Sequence, residues 1–372
     1  MSEGRGVHQL LAGLAEGDAV SNHALAIQGI LRGAGYASDL FVEHAAPRLR
    51  GRVRSLEEYA AVSSKDTVCL FHFAIGSAAG PLIFGAPDTL VLVYHNITPA
   101  RFFLGFNNHL TGLCYHGRRQ LGVYAPRTAL ALTPSEFNRR ELEAAGFQKT
   151  KVLPLLLDTA SYRRPPSPVL LRLLEDGKTN VLFVGRLSPN KGLDAALRAF
   201  ALFQKRRPRS RLLLVGDDQG VRHYPERLRE IVRALRLRDV LFLGHVDEDE
   251  LLACYQAARV LLCLSEHEGF CAPLQEAMLF GVPVLALDRG AVRETLGGAG
   301  VLLDKADPAL VAGLLGELAE EGPLREAVRK TEAARVSGFL SAPPDLLLSL
   351  APVLGPLSAG GPPGGGVRAR EL

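Results

Sequence analysis

Two apolar runs flank one short helical segment between Ala258 and Leu287, and that unit decides the architecture. The run ARVLLCL, with Cys263 near its end, has the length and branched content of a buried strand. Gly269 breaks it, Pro273 suits a first helical position, and Gly281 closes a helix before the strand Val282–Leu287. Strands joined through a helix run parallel, since a tight hairpin cannot connect them. Inside this unit Glu268 and Glu276 stand with seven residues between them, and Glu276 is expected in the first turn of the helix. A helix start offers free N–H groups and partial positive charge, so the backbone from Gly269 to Leu274 makes a cradle for a diphosphate. A carboxylate beside phosphate is unfavourable unless it holds hydroxyl groups, which suggests sugar and ribose hydroxyls as partners of Glu268 and Glu276. The spacing alone, outside this context, is usually that of two solvated surface carboxylates.

Strand and helix patterns alternate along the whole chain. Val7–Leu11, Thr67–Phe73, Leu90–Tyr94 and Leu130–Thr133 read as strands, with Val20, Ala24, Ile27 and Leu31 at helical spacing after the first. The first series ends near Val152–Asp158, and Tyr162–Pro168 is the linker, because consecutive prolines resist both helix and sheet. A second series follows at Asn180–Val184, Arg211–Val215, Val240–Leu243, Val260–Leu264 and Val282–Leu287, with Asp247 and Glu250 spaced as a capping box. The fold class expected is α/β, two Rossmann-like doubly wound parallel-sheet domains over residues 1–160 and 161–340. Residues 341–372 are expected to be a Pro/Gly-rich tail, largely disordered from Ser358 on, because that composition buries little apolar surface.

The segment from Glu268 to Val284 matches the pattern EGFxxPxxEAMxxGxPV at Glu268, Gly269, Phe270, Pro273, Glu276, Ala277, Met278, Gly281, Pro283 and Val284. FVGRLSPNKGLDAALRAF, Phe183 to Phe200, supplies a second strand–turn–helix block ahead of it. Together they resemble the family-4 retaining glycosyltransferases (glycosyltransferase group 1) of the GT-B fold, tightly from Val181 to Leu303 and more loosely before Pro154. The resemblance implies two domains facing a cleft, the first on the acceptor side and the second binding a nucleotide sugar. It implies that Arg186 and Lys191 hold the leaving diphosphate, that Glu268 orients the sugar and Glu276 the ribose. It also implies that His95, just beyond the strand in VLVYHNITP, contacts the donor sugar. The catalytic set so implied is His95, Glu268, Arg186 and Lys191. The donor-binding set is Gly17, Arg186, Lys191, Glu268, Gly269, Phe270, Cys271, Ala272 and Glu276. The implied reaction moves a hexosyl group from a nucleoside diphosphate sugar to a hydroxyl with retention at the anomeric carbon. Cationic side chains and helix amides would stabilise the leaving charge. No cofactor and no metal is expected, since no His/Asp cluster has ligand spacing.

Two positions depart from the family pattern. Paired glycines are common after the first strand, whereas here Gly17 is followed by Asp18, which either caps the next helix or, with Asn22, holds an acceptor hydroxyl. Cys271 replaces a small residue and either narrows the sugar pocket or points into the core. In HFAIGS, His72 and Ser77 are placed beyond a strand at the same cleft edge, His72 as an acceptor contact or a local structural residue.

Composition narrows the partners. With 47% hydrophobic and 22% charged residues the chain is globular, and its net +4 is evenly spread: 15 basic and 13 acidic residues up to Asp158, 28 and 26 beyond. Neither half is a nucleic-acid binder by charge. The basic run Lys205–Arg211 is expected to be a solvated helix end, with peripheral contact to an anionic membrane surface as the alternative. Five cysteines without a Cys-x-x-Cys pair indicate neither a disulfide framework nor a zinc site. No leader-like N-terminus or membrane span is read, so a cytoplasmic location follows as the expectation, at most peripheral at the inner membrane surface. The acceptor expected is a glycan or lipid-linked hydroxyl. YHNITP, HFAIGS and AVRETLGGAG look similar to bacterial mannosyltransferase-like proteins of polysaccharide and glycan biosynthesis, which tilts the donor toward GDP-mannose. A non-catalytic nucleotide-sugar-binding subunit and a GT-B-type epimerase are the competing readings.

Overall fold

The computed structural model describes residues 6–156, 161–217, 220–221 and 223–355. In the first domain β1 (Val7–Leu14), β2 (Leu40–Ala45), β3 (Arg54–Ser55), β4 (Val68–Phe73), β5 (Thr89–Tyr94), β6 (Thr128–Thr133) and β7 (Thr150–Val152) form one sheet in the order β3-β2-β1-β4-β5-β6-β7. In the second, β8 (Thr179–Val184), β9 (Ser210–Val215), β10 (Val240–Gly244), β11 (Val260–Cys263), β12 (Val284–Leu287) and β13 (Val301–Leu303) form another in the order β10-β9-β8-β11-β12-β13. All pairings are parallel. Every residue of β4 and β9 is buried, as a sheet covered by helices on both faces requires. The α/β class with two doubly wound sheets, expected from the alternating patterns, is what the chain adopts.

Each sheet reverses its strand order once, at β1/β4 and at β8/β11. At such a reversal the connections depart to opposite faces, leaving a crevice at the carboxyl ends of the strands. Apart from His72, which lies within β4, the site residues singled out above follow these four strands and β5, so the topology gathers them.

Several expectations are corrected. Four strands were not anticipated: β3, β7 and β13 have two or three residues each, too few for an alternation, and β2 carries Glu43 and His44 ahead of its last residue, Ala45. Arg211 lies in a strand as read, β9, but it is not solvated with the basic residues before it: it is 5% exposed and pairs with Asp176 at 2.5 Å. Within the segment expected as a tail, Leu346–Leu354 is a helix with Leu346, Leu350 and Leu354 buried against Val7, Val68 and Leu130 of the first domain. Pro323–Leu354 has the length and apolar content of a membrane-crossing helix, yet it folds as two helices, Pro323–Ser341 and Leu346–Leu354. Asp158, the boundary at 160 and the tail from Ser358 to Leu372 lie outside the described residues.

Candidate functional site

Lys191 and Glu268 come together from the two strands that flank the second reversal. After β8 the chain turns at Gly185 and enters the short turn Pro189–Lys191. Gly192 follows at φ +65, where a Cβ would overlap the carbonyl of Leu264 at the end of β11, so the turn lies directly on that strand. Lys191 Nζ reaches Glu268 Oε1 at 2.7 Å, with both side chains largely buried at 19% and 8% exposure. Burial lowers the lysine pKa, but the Glu268 carboxylate together with Cys271 and Cys263 outweighs it and the net direction is upward. Arg186, at the same strand end, is exposed.

The turn after Glu268 is fixed from three sides. Gly269 O accepts from Ser135 Oγ at 2.8 Å and Asn138 Nδ2 at 3.0 Å, both in the first domain. Phe270 O accepts from Thr295 Oγ1 at 2.5 Å, and Glu268 O from Ala291 N at 3.0 Å. A Cβ on Gly269 would come within 2.5 Å of Asn96 Cβ, so only glycine lets the domains meet here. Among the described residues no acceptor is bonded to the N–H groups of Gly269, Phe270, Cys271 and Ala272. The helix that follows is Ala272–Leu279, with Cys271 at its N-cap in the left-handed region at φ 74. Cys271 is buried beside Cys263, Sγ to Sγ 3.7 Å, which decides its alternatives in favour of the core.

Glu276 is the fifth helical residue and not in the first turn, because the helix begins one residue ahead of Pro273. Its carboxylate accepts from Tyr162 Oη at 2.9 Å and Tyr255 Oη at 2.5 Å. Burial raises its pKa, and the two phenols pull the other way. Neither tyrosine was singled out in the sequence; Tyr162 read only as linker.

Across the cleft, Gly17 follows β1 at φ +69, and a Cβ there would meet His245 Cε1 of the second domain at 3.0 Å. Asp18 caps the helix Ala19–Gly33 by accepting from Ser21 N at 3.0 Å, while Asn22 is exposed. His72 lies within β4 and not beyond it, at 2% exposure, whereas Ser77 lies beyond the strand and is half-buried. His95 follows β5 and is half-buried. Asn96, at φ 70, donates to Asn138 Oδ1 at 2.8 Å and approaches His267 Nε2 at 2.6 Å, tying the His95 loop to the residue before Glu268. Glu294 of the second domain accepts from Glu136 N at 2.7 Å, capping the helix Glu136–Ala144 of the first.

A hydrogen-bonded chain sets the protonation of His95. Gln9 Nε2 donates to Ala24 O at 3.1 Å, which turns its Oε1 to His72 Nε2 at 2.8 Å. His72 therefore carries its proton on Nε2 and presents a bare Nδ1 to His95 Nε2, 2.8 Å away, so His95 is the donor of that bond. Burial holds both rings neutral: His72 well below the usual histidine range, His95 at about 3.

The expectation that no cluster has ligand spacing is corrected by the fold. His23, His72 and His95 converge from a helix, a strand and a loop, and Cys263, Glu268 and Cys271 converge around the second reversal. In each group the donor atoms lie within 4.8 Å of one another. His23 could have been noticed, since it stands four residues before Ile27 on the apolar face of its helix.

Known proteins agree with this arrangement. Residues 172–335 match the family described as glycosyl transferases group 1. A D-inositol 3-phosphate glycosyltransferase of Acidothermus cellulolyticus is 39% identical over 202 residues, 51% of this chain and 44% of the relative. The O-antigen chain mannosyltransferase B of Escherichia coli is 27% identical over 221 residues, 56% of each. The chain thus spans about half the length of these curated relatives. Among solved structures, Anabaena Alr3699/HepE in complex with UDP and glucose superposes with a TM-score of 0.68 at 19% identity, over 93% of this chain and 97% of that one. The sucrose-phosphate synthase of Thermosynechococcus elongatus gives 0.70 at 18%, over 91% and 96%. At those identities the likeness is one of fold, the two-domain GT-B arrangement. Residues 172–335 thus carry a match to the glycosyl transferases group 1 family, within a chain whose fold over nearly its whole length is the two-domain GT-B arrangement.

Proposed function

We propose that this chain is a retaining, metal-independent glycosyltransferase that moves a hexosyl group from a nucleoside diphosphate sugar to a hydroxyl of a glycan or lipid-linked acceptor. The observation that carries the reading is the Lys191–Glu268 pair, 2.7 Å apart at the β8/β11 reversal, beside unbonded N–H groups that open a helix. Lys191, the exposed Arg186 and those amides form a cationic rim on which a leaving diphosphate gains stabilisation as its charge develops. Glu268 takes the sugar hydroxyls. Glu276, held between two phenols, keeps free lone pairs for the ribose. His95, with its proton directed to His72, offers Nδ1 as an acceptor toward the cleft.

Mannose, carried by GDP, remains the favoured sugar, in keeping with the name of the Escherichia coli relative; the Anabaena protein was solved with UDP-glucose. The proposed location is the cytoplasm, with peripheral contact to a membrane when the acceptor is lipid-linked. The test is turnover of a panel of nucleotide sugars, GDP-mannose and UDP-glucose among them, with acceptor hydroxyls present and the product anomer read by NMR. GDP-mannose consumed only with acceptor, giving a retained linkage in EDTA, is the expected result. Inversion or a requirement for magnesium overturns the mechanism. Sugar interconversion without acceptor identifies an epimerase, and binding without turnover a non-catalytic subunit.

A further inference from the structure

We propose that His23, His72 and His95 form a binding site for one divalent transition-metal ion of the zinc class, at the β1/β4 end of the cleft. The three rings come from the helix Ala19–Gly33, from β4 and from the loop after β5, with their donor nitrogens mutually within 4.8 Å. Three imidazoles with one position left open is an arrangement that zinc adopts readily. His23 points to a ligand by itself. It is 2% exposed, and neither ring nitrogen has a hydrogen-bond partner, in a buried helix face that also holds Ser21, Ala24, Ile27, Gln28 and Leu31. An unmet buried acceptor is destabilising, and a coordinate bond removes that penalty at the nitrogen that makes it.

The surroundings are already those of a ligand set. Gln9 holds the Nε2 proton of His72 and so aims a bare Nδ1 into the cluster, the outer hydrogen bond that orients metal-bound imidazoles. For His95 to ligate, its proton moves from Nε2 to Nδ1, an exchange of tautomers with no net proton released. Nitrogens each about 2.0–2.1 Å from a tetrahedral ion stand about 3.3 Å apart. The 2.8 Å pair therefore widens slightly while His23 swings inward. The other cluster is less suited, because the Lys191 ammonium already occupies Glu268.

The ion would sit on the floor of the cleft and withdraw His95 from the sugar, a consequence that rests on the transferase reading; the binding itself does not. The experiment is a titration of the metal-stripped full chain with Co2+, read by visible ligand-field absorption and followed by Zn2+ displacement, with neither donor nor acceptor present. One ion per chain with tetrahedral absorption is expected, lost in His23→Phe and weakened about 10- to 100-fold in Gln9→Leu. Circular dichroism checks folding, and His23→Asn replaces a variant that fails it. A wild-type chain that shows no tetrahedral absorption, or a His23 variant with unchanged affinity, overturns the site. Because the readout is metal binding alone, its failure leaves the transferase reading untouched, and a failed turnover assay leaves the metal site untouched.

Discussion

Glu268 and Glu276 share one motif and one end of the cleft, yet the protein treats them in opposite ways. Glu268 faces an ammonium at 2.7 Å; Glu276 faces two phenols, at 2.9 and 2.5 Å. A cation partner compensates the charge itself, whereas phenols only solvate it and leave burial to push the pKa up. The lesson is that the first glutamate is held by a cation, Lys191, while the second is an acceptor whose neighbours donate to it. A third buried carboxyl, Glu332, marks the limit: it accepts one N–H, from Val284 at 2.8 Å, and its other oxygen has no partner.

The same substitution at both glutamates tests this contrast most strongly. Glu268→Gln leaves the Lys191 ammonium without a counter-charge and should destabilise the fold by about 3 kcal/mol, measured by urea unfolding. A loss no larger than that at Glu276 would break the comparison. Next comes Arg186→Ala. An exposed arginine changes stability by about 0.5 kcal/mol or less, but the loss of a cation from the proposed diphosphate rim should lower turnover about 100-fold. Wild-type kcat would remove Arg186 from the diphosphate rim.

Glu332 sharpens the limiting case through pH. Burial raises its carboxyl from 4.5 to about 8, so between those values the unfolded chain binds fewer protons than the folded one. Its contribution to stability is therefore full at acid pH and falls by about 1.4 kcal/mol per pH unit until the folded group ionises near 8. Glu332→Gln should remove that slope in unfolding titrations from pH 5 to 9; an unchanged slope would place its origin elsewhere. The smallest effect is expected for Glu276→Gln, about 1 kcal/mol, since Tyr162 and Tyr255 can still donate to the amide oxygen. A loss of several kcal/mol would mean that the charge matters there as it does at Glu268.

What the sequence revealed follows from which interactions are local. Strand–turn–helix units are written in consecutive residues, so β8, β11 and the helix Ala272–Leu279 could be read with errors of one or two positions. Lys191 and Glu268 were legible as members of a motif, but the contact between them depends on how the Gly192 turn lies on Leu264, across seventy residues of chain. Tyr162 and Tyr255 were invisible for a related reason: a tyrosine in a proline-rich stretch and one on an apolar helix face become donors only once Glu276 is brought between them. His23 lay in plain view on an apolar face and drew no attention, because β4 and the loop after β5 supply its neighbours.

The helix Leu346–Leu354 has a mechanical consequence. The chain leaves the first domain after β7, builds the second, and returns to pack Leu346, Leu350 and Leu354 on the sheet where it started. The two halves are therefore tied by two straps, and two straps define a line. Opening the cleft is confined to rotation about that line, as a lid turns on a pair of pins, while sliding and twisting would stretch one strap or the other. A protease cut in either strap would free the twisting mode without separating the halves, which the second tether would still hold in register.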